Sequence, residues 1–421
     1  MTNHPEFMDH PGNAALLTGQ HGEYLLPSHD PVQLVTSEGA LRGRDVGRNA
    51  GNFKDSYPMP DAATLRRGYA GMVLGRRINE QAGALVRQGR MAVYPSSLGQ
   101  EACQVAAWMV LDRSDWLFAS YRDTVAIMGR GVSANEAFES LRGDWHSGFD
   151  PYEYNTALPT TPLATQLLHA VGVAHAAKLR GEDTVVLAMC GDGATSEGDF
   201  HEALNFAAVF HVPAVFLIQN NQYAISVPLI HQNVAPSLAH KAIGYGMPGE
   251  RVDGNDLAAL LTVLGAAVDR ARKGGGPALI EAHTYRMEAH TNADDSTRYR
   301  TAEEVAQWVP KDPLKRLHKY LSDAGELSSE QAEAFTVAAD GVAKALRDGL
   351  NAPSSPDPLD IFRFVYSEPT PQLRKQSRQL AAELATVAAG AASAAAGPAP
   401  APAAPASAST AAGGSGSAAR S

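Results

Sequence analysis

At 421 residues, with 44% hydrophobic and 19% charged side chains, the chain has the length and composition of a soluble globular protein of one large or two ordinary domains. A formal net charge of −10, without a Lys/Arg block, argues against a nucleic-acid or anionic-membrane surface. The two cysteines, Cys103 and Cys190, lie far apart and outside any CxxC pair, which excludes a disulfide framework or zinc cluster.

Both thiols are expected to be buried, in a reducing compartment. Residues 1–20 lack the basic and apolar regions of a signal peptide, and no run of about 18 apolar residues suggests a membrane span, so a cytoplasmic protein is expected. Residues 1–60 are rich in Gly, Pro, Asn and His, show no sustained period and read as an extended arm. From 61 to 365 an α/β domain is expected. Its first element is a long amphipathic helix over 62–88, with Leu65, Tyr69, Met72, Ile78 and Leu85 at mostly helical spacing. Another helix is expected to begin after Ser133, which forms an S-x-x-E capping box with Glu136.

Between 163 and 282 helices and strands alternate. A helix over 163–179 leads to the apolar run 185–189, then come a Gly-rich turn, a helix over 200–210 and the apolar run 214–218. A helix over 257–272 and a strand over 278–282 follow. This alternation predicts βαβ units and a mostly parallel sheet flanked by helices, with ligands outside the carboxyl ends of the strands. One more helix is expected within 366–388. Residues 389–421, an Ala/Pro/Ser/Gly tract, bury too little apolar surface to offset ordering entropy and read as a flexible tail.

Gly191-Asp192-Gly193 falls where a parallel strand ends and the next helix begins. Glycines allow close backbone approach to a phosphate, and a helix N-terminus favours an anion. An aspartate there makes sense as a hard oxygen ligand of Mg²⁺, which then bridges to phosphate oxygens. Alone, the GDG tripeptide is also what a plain Asp-Gly turn looks like. However, 26 residues separate Gly193 from Asn220-Asn221, about one turn-helix-turn-strand unit, so both motifs should emerge at the same edge of adjacent strands. Asn221 and the Tyr223 backbone carbonyl then supply further neutral oxygens for an octahedral cation. A NAD-binding Rossmann domain is the competing reading, disfavoured because no G-x-G-x-x-G follows the 185–189 strand.

GDG followed at this interval by NN resembles the thiamine diphosphate fingerprint. The stretch CGDGATSEGDFHEALNFAAVFHVPAVFLIQNNQYAIS (190–226) resembles the alpha subunit of the decarboxylating component of 2-oxo acid dehydrogenase complexes. The resemblance covers roughly 66–388 and extends to YPSSLGQEA (94–102), WLFASYRD (116–123), TPLATQLLHAVG (161–172), RVDGND (251–256) and TYRMEAHTNADDSTRYR (284–300). It implies a thiamine-diphosphate-binding α/β fold. It implies Asp192, Asn221 and the Tyr223 carbonyl as magnesium ligands, Gly193 and Ala194 as backbone against the diphosphate, and Tyr121 and Arg122 as contacts to its oxygens. Thr161 is assigned to the same cofactor. Thr160, Pro162, Thr165 and Gln166 match a potassium site in which relatives often carry serines. Gln219 stands where branched-chain relatives often have an arginine, so a phosphate contact is not carried over to it. His290, on a polar loop, matches a histidine that reaches the diphosphate and lines the route of the lipoyl arm. Asp294 and Asp295, interleaved with Arg298 and Arg300, could lock that loop through charge-assisted hydrogen bonds.

The implied reaction is oxidative decarboxylation of a small 2-oxo acid, with acyl transfer to the lipoyl group of an acyltransferase component. No glutamate here matches the one that activates the cofactor's pyrimidine ring. In the family that half of the site belongs to a beta subunit, so an α₂β₂ heterotetramer is expected. The segment FVYSEPTPQLRKQ (364–376), RVDGND and the DDSTRYR loop favour branched-chain substrates, such as 3-methyl-2-oxobutanoate, over pyruvate. Acetoin cleavage and a noncatalytic thiamine-diphosphate-binding module are the further alternatives.

Overall fold

The computed structural model describes residues 25–42, 57–143, 148–353 and 356–395, with the backbone alone for 392–395. The expectations for residues 1–24 and 43–56 of the arm and 396–421 of the tail lie outside them. The chain divides into two compact units, Met1–Ser354 and Ser355–Ser421, so the larger unit ends before the boundary at 365 expected from sequence.

In the first unit α1 (Ala62–Arg87) starts at Asp61, whose carboxylate accepts from the Thr64 N–H, and buries Leu65, Tyr69, Met72, Ile78 and Leu85, as their spacing predicts. There follow α2 (Glu101–Met109), β1 (Trp116–Phe118), α3 (Thr124–Gly129) and α4 (Ala134–Arg142). The capping box of α4 forms as expected, Ser133 accepting from the Glu136 N–H and Glu136 from the Ser133 N–H. Next come α5 (Thr165–Arg180), β2 (Val186–Gly191), α6 (Gly198–Phe210) and β3 (Ala214–Asn220), then a small hairpin of β4 (Tyr223–Ala224) and β5 (Val227–Pro228). β6 (Gly249–Asp253), α7 (Leu257–Arg270) and β7 (Ala278–His283) complete the sheet, and α8 (Pro313–Asp323) and α9 (Ser329–Asn351) pack beyond it.

The sheet is parallel throughout, in the order β1-β2-β3-β7-β6. Its central strands are buried on both faces. Leu187, Met189, Val215 and Leu217 join one core with α1, α2 and α7, while Val186, Ala188, Cys190, Phe216 and Ile218 join a second with α5 and α6. That two-sided burial is why these strands read as continuous apolar runs. Each of the Val, Leu, Ile, Met and Phe side chains among them contributes about 1.5–3 kcal/mol by leaving water. Both thiols are buried, as expected. The edge strands escape prediction, β1 because its apolar run is only three residues long and β6 because it carries charged residues.

The second unit holds α10 (Pro371–Ala395). It runs past 388, where the tail was expected to begin, because alanine is the strongest helix former. None of the described side chains of this unit is buried, and Ile361, Phe364 and Tyr366 are exposed. No described helix is long and apolar enough to cross a membrane.

Candidate active site

Gly191 at the end of β2 lies in register with Gln219 near the end of β3, so the turns that follow both strands leave the sheet at one edge, as the motif spacing predicts. The next strand is zipped to the same place. Asn220 pairs with His283, Thr284 N–H donates to the Asn220 carbonyl at 2.9 Å, and Arg286 N–H to that of Asn221 at 3.3 Å. At this carboxyl edge lies a cavity of about 370 Å³. It is lined by residues from all three strand ends, with Tyr121 and Arg122 following β1 and Thr160, Pro162 and Gln166 preceding or opening α5. Asp192, Gly193, Ala194, Asn221, Tyr223 and His290 all line it.

Three oxygens converge at its floor. Asn221 Oδ1 lies 3.1 Å from the Tyr223 carbonyl oxygen and 3.3 Å from Asp192 Oδ1. Acceptors this close repel unless a proton or a cation lies between them. Adjacent ligand oxygens of an octahedral Mg²⁺ with bonds of 2.0–2.1 Å are about 2.9 Å apart, close to these edges. Turning the amide would let its nitrogen donate to both oxygens. As drawn, Nδ2 donates to Gln100 Oε1 at 3.1 Å while Oδ1 accepts from the Tyr223 N–H at 3.3 Å. Turning Gln100 together with Asn221 would pair the otherwise unpartnered Gln100 Nε2, so a bound cation is what favours the orientation that keeps Oδ1 toward Asp192. Among the described residues no cluster of three His, Cys, Asp or Glu exists. The set is one carboxylate with two neutral oxygens, the chemistry of a hard cation also held by phosphate. Asp192 is 1% exposed, and burial pushes its carboxyl up to about 6, with the hydrogen bond from Gln232 acting in the opposite direction.

The turn is held by close packing. A side chain at Gly193 would meet Ala224 Cβ at 2.7 Å, so glycine is required there by the hairpin itself as well as by any phosphate. Gln222 and Ile225, on either side of β4, adopt left-handed φ of 77° and 55°, and Ala164 at the start of α5 one of 64°. Non-glycine residues in this region carry strain of order 1–3 kcal/mol each, which the surrounding hydrogen bonds must offset.

The facing wall is cationic. Arg122, 6% exposed, donates from Nη1 to the carbonyls of Ser96 at 2.7 Å and His290 at 3.1 Å, and from Nη2 to His290 Nδ1 at 3.0 Å. A guanidinium only donates, so Nδ1 must accept and the imidazole proton sits on Nε2. Burial, reinforced by Arg122 and Arg286, pushes His290 down to about 4, so the ring is neutral at physiological pH. Tyr121 packs edge-on against it, with ring centroids 6.1 Å apart.

The loop is not locked by the Asp–Arg pairs expected from sequence. Asp294 accepts from the His290 N–H at 2.8 Å and from the Tyr299 hydroxyl, and Asp295 caps the turn Ser296–Arg298. Arg300 donates to the carbonyls of Arg286 and Met287. Backbone carbonyls, fixed by the turn, take the place the carboxylates were expected to fill.

Of the expected potassium ligands, Thr160 Oγ1 lies 3.4 Å from the Pro162 carbonyl and 3.2 Å from Gln166 Oε1. Thr165 instead directs its hydroxyl to Asp199 at 3.5 Å. Thr161 is exposed and outside the cavity lining, in the bend that follows the bridge of Thr160 to Ser120. Gln219 directs Nε2 to the buried Asp123 at 2.6 Å, behind the Tyr121-Arg122 turn.

Sequence reasoning missed three residues here. Gln100, within YPSSLGQEA, orients Asn221; Gln232 holds Asp192; and Arg286, 1% exposed, donates to the Tyr223 and Ile225 carbonyls and to the Tyr299 hydroxyl. A glutamine 40 residues beyond an aspartate carries no local signal, but an arginine inside TYRMEAHTN, next to the histidine singled out, was open to suspicion.

Residues 69–353 match the model of the dehydrogenase E1 component family. The 3-methyl-2-oxobutanoate dehydrogenase subunit alpha of Mycobacterium tuberculosis is 50% identical over 357 residues, which span 85% of this chain and 95% of the relative. The pyruvate dehydrogenase E1 component subunit alpha of Staphylococcus aureus is 44% identical over 255 residues, 60% of this chain and 69% of the relative. With two-thirds of its length matched by the family model and a half-identical relative covered almost end to end, the chain belongs to the dehydrogenase E1 component family.

Proposed function

We propose that this chain is the alpha subunit of a thiamine-diphosphate-dependent branched-chain 2-oxo acid dehydrogenase, acting on 3-methyl-2-oxobutanoate and its homologues. The observation that carries the cofactor assignment is the buried three-oxygen set of Asp192, Asn221 and Tyr223, facing a cationic wall across a cavity of about 370 Å³. When bound, thiamine diphosphate supplies the carbanion chemistry that cleaves carbon dioxide from a 2-oxo acid.

The residues of this chain hold its diphosphate end. Asp192, Asn221 and the Tyr223 carbonyl take Mg²⁺, and the backbone at Gly193 and Ala194 lies against the phosphates. Arg122 brings a positive charge, and His290 offers Nε2–H as a neutral donor while its Nδ1 is occupied. Tyr121 braces the histidine. Burial of these groups excludes water and strengthens each charge interaction. Thr160, the Pro162 carbonyl and Gln166 are the ligands we assign to K⁺, without Thr165.

The lining carboxylate other than Asp192 is the exposed Glu197, next to the GDG turn. Among the described residues no further carboxylate lines the cavity. This supports the reading that the carboxylate activating the cofactor comes from a beta subunit, in an α₂β₂ heterotetramer, with the acyl group passing to the lipoyl group of an acyltransferase component. The substrate assignment follows the 50% identical relative and the segments 251–256, 284–300 and 364–376. Pyruvate is the second reading, favoured by the 44% identity of the staphylococcal relative. Co-expressed with its beta subunit and supplied with an artificial electron acceptor, the enzyme is expected to turn over 3-methyl-2-oxobutanoate with a higher kcat/KM than pyruvate. The reverse order overturns the substrate assignment, and no activity on any 2-oxo acid overturns the enzyme reading.

A further inference from the structure

Gln232 stands just after the 3-10 turn Leu229–His231, which the β4–β5 hairpin brings back over the GDG turn. Its Nε2 donates to Asp192 Oδ2 at 2.9 Å and to the Val227 carbonyl at 2.8 Å. The opposite amide orientation would set its oxygen against two acceptors, so the donor necessarily faces Asp192. The carboxylate is thereby divided. Oδ2 is engaged by an amide, and Oδ1 is the oxygen that faces Asn221 Oδ1 at 3.3 Å.

This division bears on which cation fits. Mg²⁺ requires an octahedron with one oxygen from each ligand, whereas Ca²⁺ accepts six to eight oxygens and readily takes both oxygens of a carboxylate. We propose that Gln232 is a positioning residue that holds Asp192 to one oxygen and thereby makes the site select Mg²⁺ over Ca²⁺. The inference rests on the reading that Asp192, Asn221 and the Tyr223 carbonyl hold a divalent cation. It adds a lining residue of the cavity that acts on the cation through Asp192. Val227, which anchors the other donor position of Gln232, ties the selection to the hairpin.

The test is thiamine diphosphate binding by the α₂β₂ protein, followed by calorimetry and titrated separately with Mg²⁺ and with Ca²⁺. Gln232→Met keeps the length of the side chain and removes the donor. It is expected to raise the half-saturating Mg²⁺ concentration about 10–100-fold, the range typical when an outer partner of a metal ligand is lost. The Ca²⁺ value should move much less, so the preference shifts toward Ca²⁺. Gln232→Glu, a second variant that replaces the donor with a carboxylate, is expected to shift the preference the same way. Asn233→Ala removes a hydrogen bond to the Ala235 carbonyl in the same turn and is expected to leave the ratio unchanged. Equal losses for both cations in Gln232→Met, no loss, or a matching shift in Asn233→Ala overturns the role of Gln232. Metal-independent cofactor binding by the unaltered protein overturns the cation reading, and this inference with it.

Discussion

Residues 191–194 and 219–223 hang from β2 and β3, whose side chains are buried on both faces of the sheet, and their positions relative to one another are set by strand register. The wall opposite, formed by residues 284–301 after β7, has a strand at its root only. Residues 284–287 are still tied by backbone hydrogen bonds to Asn220, Asn221 and Leu98. From there on the wall is held by Arg122, Arg286, Arg300, Asp294 and Tyr299, mostly through contacts to backbone carbonyls and one hydroxyl. The first wall is rigid because moving it breaks the sheet. The second is ordered by a few hydrogen bonds, each of modest net worth, so it can loosen while the fold stays intact. The proposed cation ligands therefore belong to the sheet edge, and His290 to the loop.

Substitutions that separate the two walls test this division. Asp192→Ala removes the single carboxylate of the cation set. Mg²⁺-dependent cofactor affinity, followed by calorimetry, is expected to fall by more than about 100-fold, beyond the effect of losing an outer partner; undiminished binding would refute the ligand role. Tyr299→Phe deletes the hydroxyl that joins Asp294 to Arg286. With about 1–2 kcal/mol of hydrogen bonding lost from the loop, kcat is expected to drop about tenfold while cofactor affinity stays within a factor of two or so. A parallel loss of both would mean that the walls are one cooperative unit.

The smallest effect concerns pH. Burial and two guanidinium groups hold His290 down to about 4, below its unfolded value of about 6.5. Between these values the unfolded chain binds a proton that the folded chain does not. The contribution of this histidine is therefore fully present above about pH 6.5 and is lost as the pH falls toward 4. Urea midpoints measured from pH 7 to pH 5 should fall less steeply for His290→Gln than for the unaltered chain. Identical slopes would show that the ring titrates normally.

Much of the rigid wall was legible in the residue order. The runs 185–189 and 214–218 are continuous because their strands are buried on both faces, and a βαβ unit has a nearly fixed length, so 26 residues between GDG and NN already put both turns at one edge. Ser133 and Glu136 announced their helix start because a capping box is a local set of hydrogen bonds. β1, β6 and α2 were missed: β1 is apolar on both faces but only three residues long, β6 carries charges, and the nine residues of α2 have their burial set by neighbours far away in sequence.

Sequence by itself thus determined the parallel sheet and the shared edge of the GDG and NN turns, which follow from short-range period and spacing, while the family was carried by the resemblance of the motifs themselves. Only the tertiary structure decided that Arg122 meets His290 across 168 residues, that Gln100 orients Asn221 across 121, and that Gln232 divides the carboxylate of Asp192 across 40. It likewise turned Thr161 out of the cavity and replaced the expected Asp–Arg locks with carbonyl contacts. The physical reason is common to all of these. A backbone period constrains where a strand or helix buries its face, but the partner of a single polar side chain is set by which loops the finished core brings within about 3 Å.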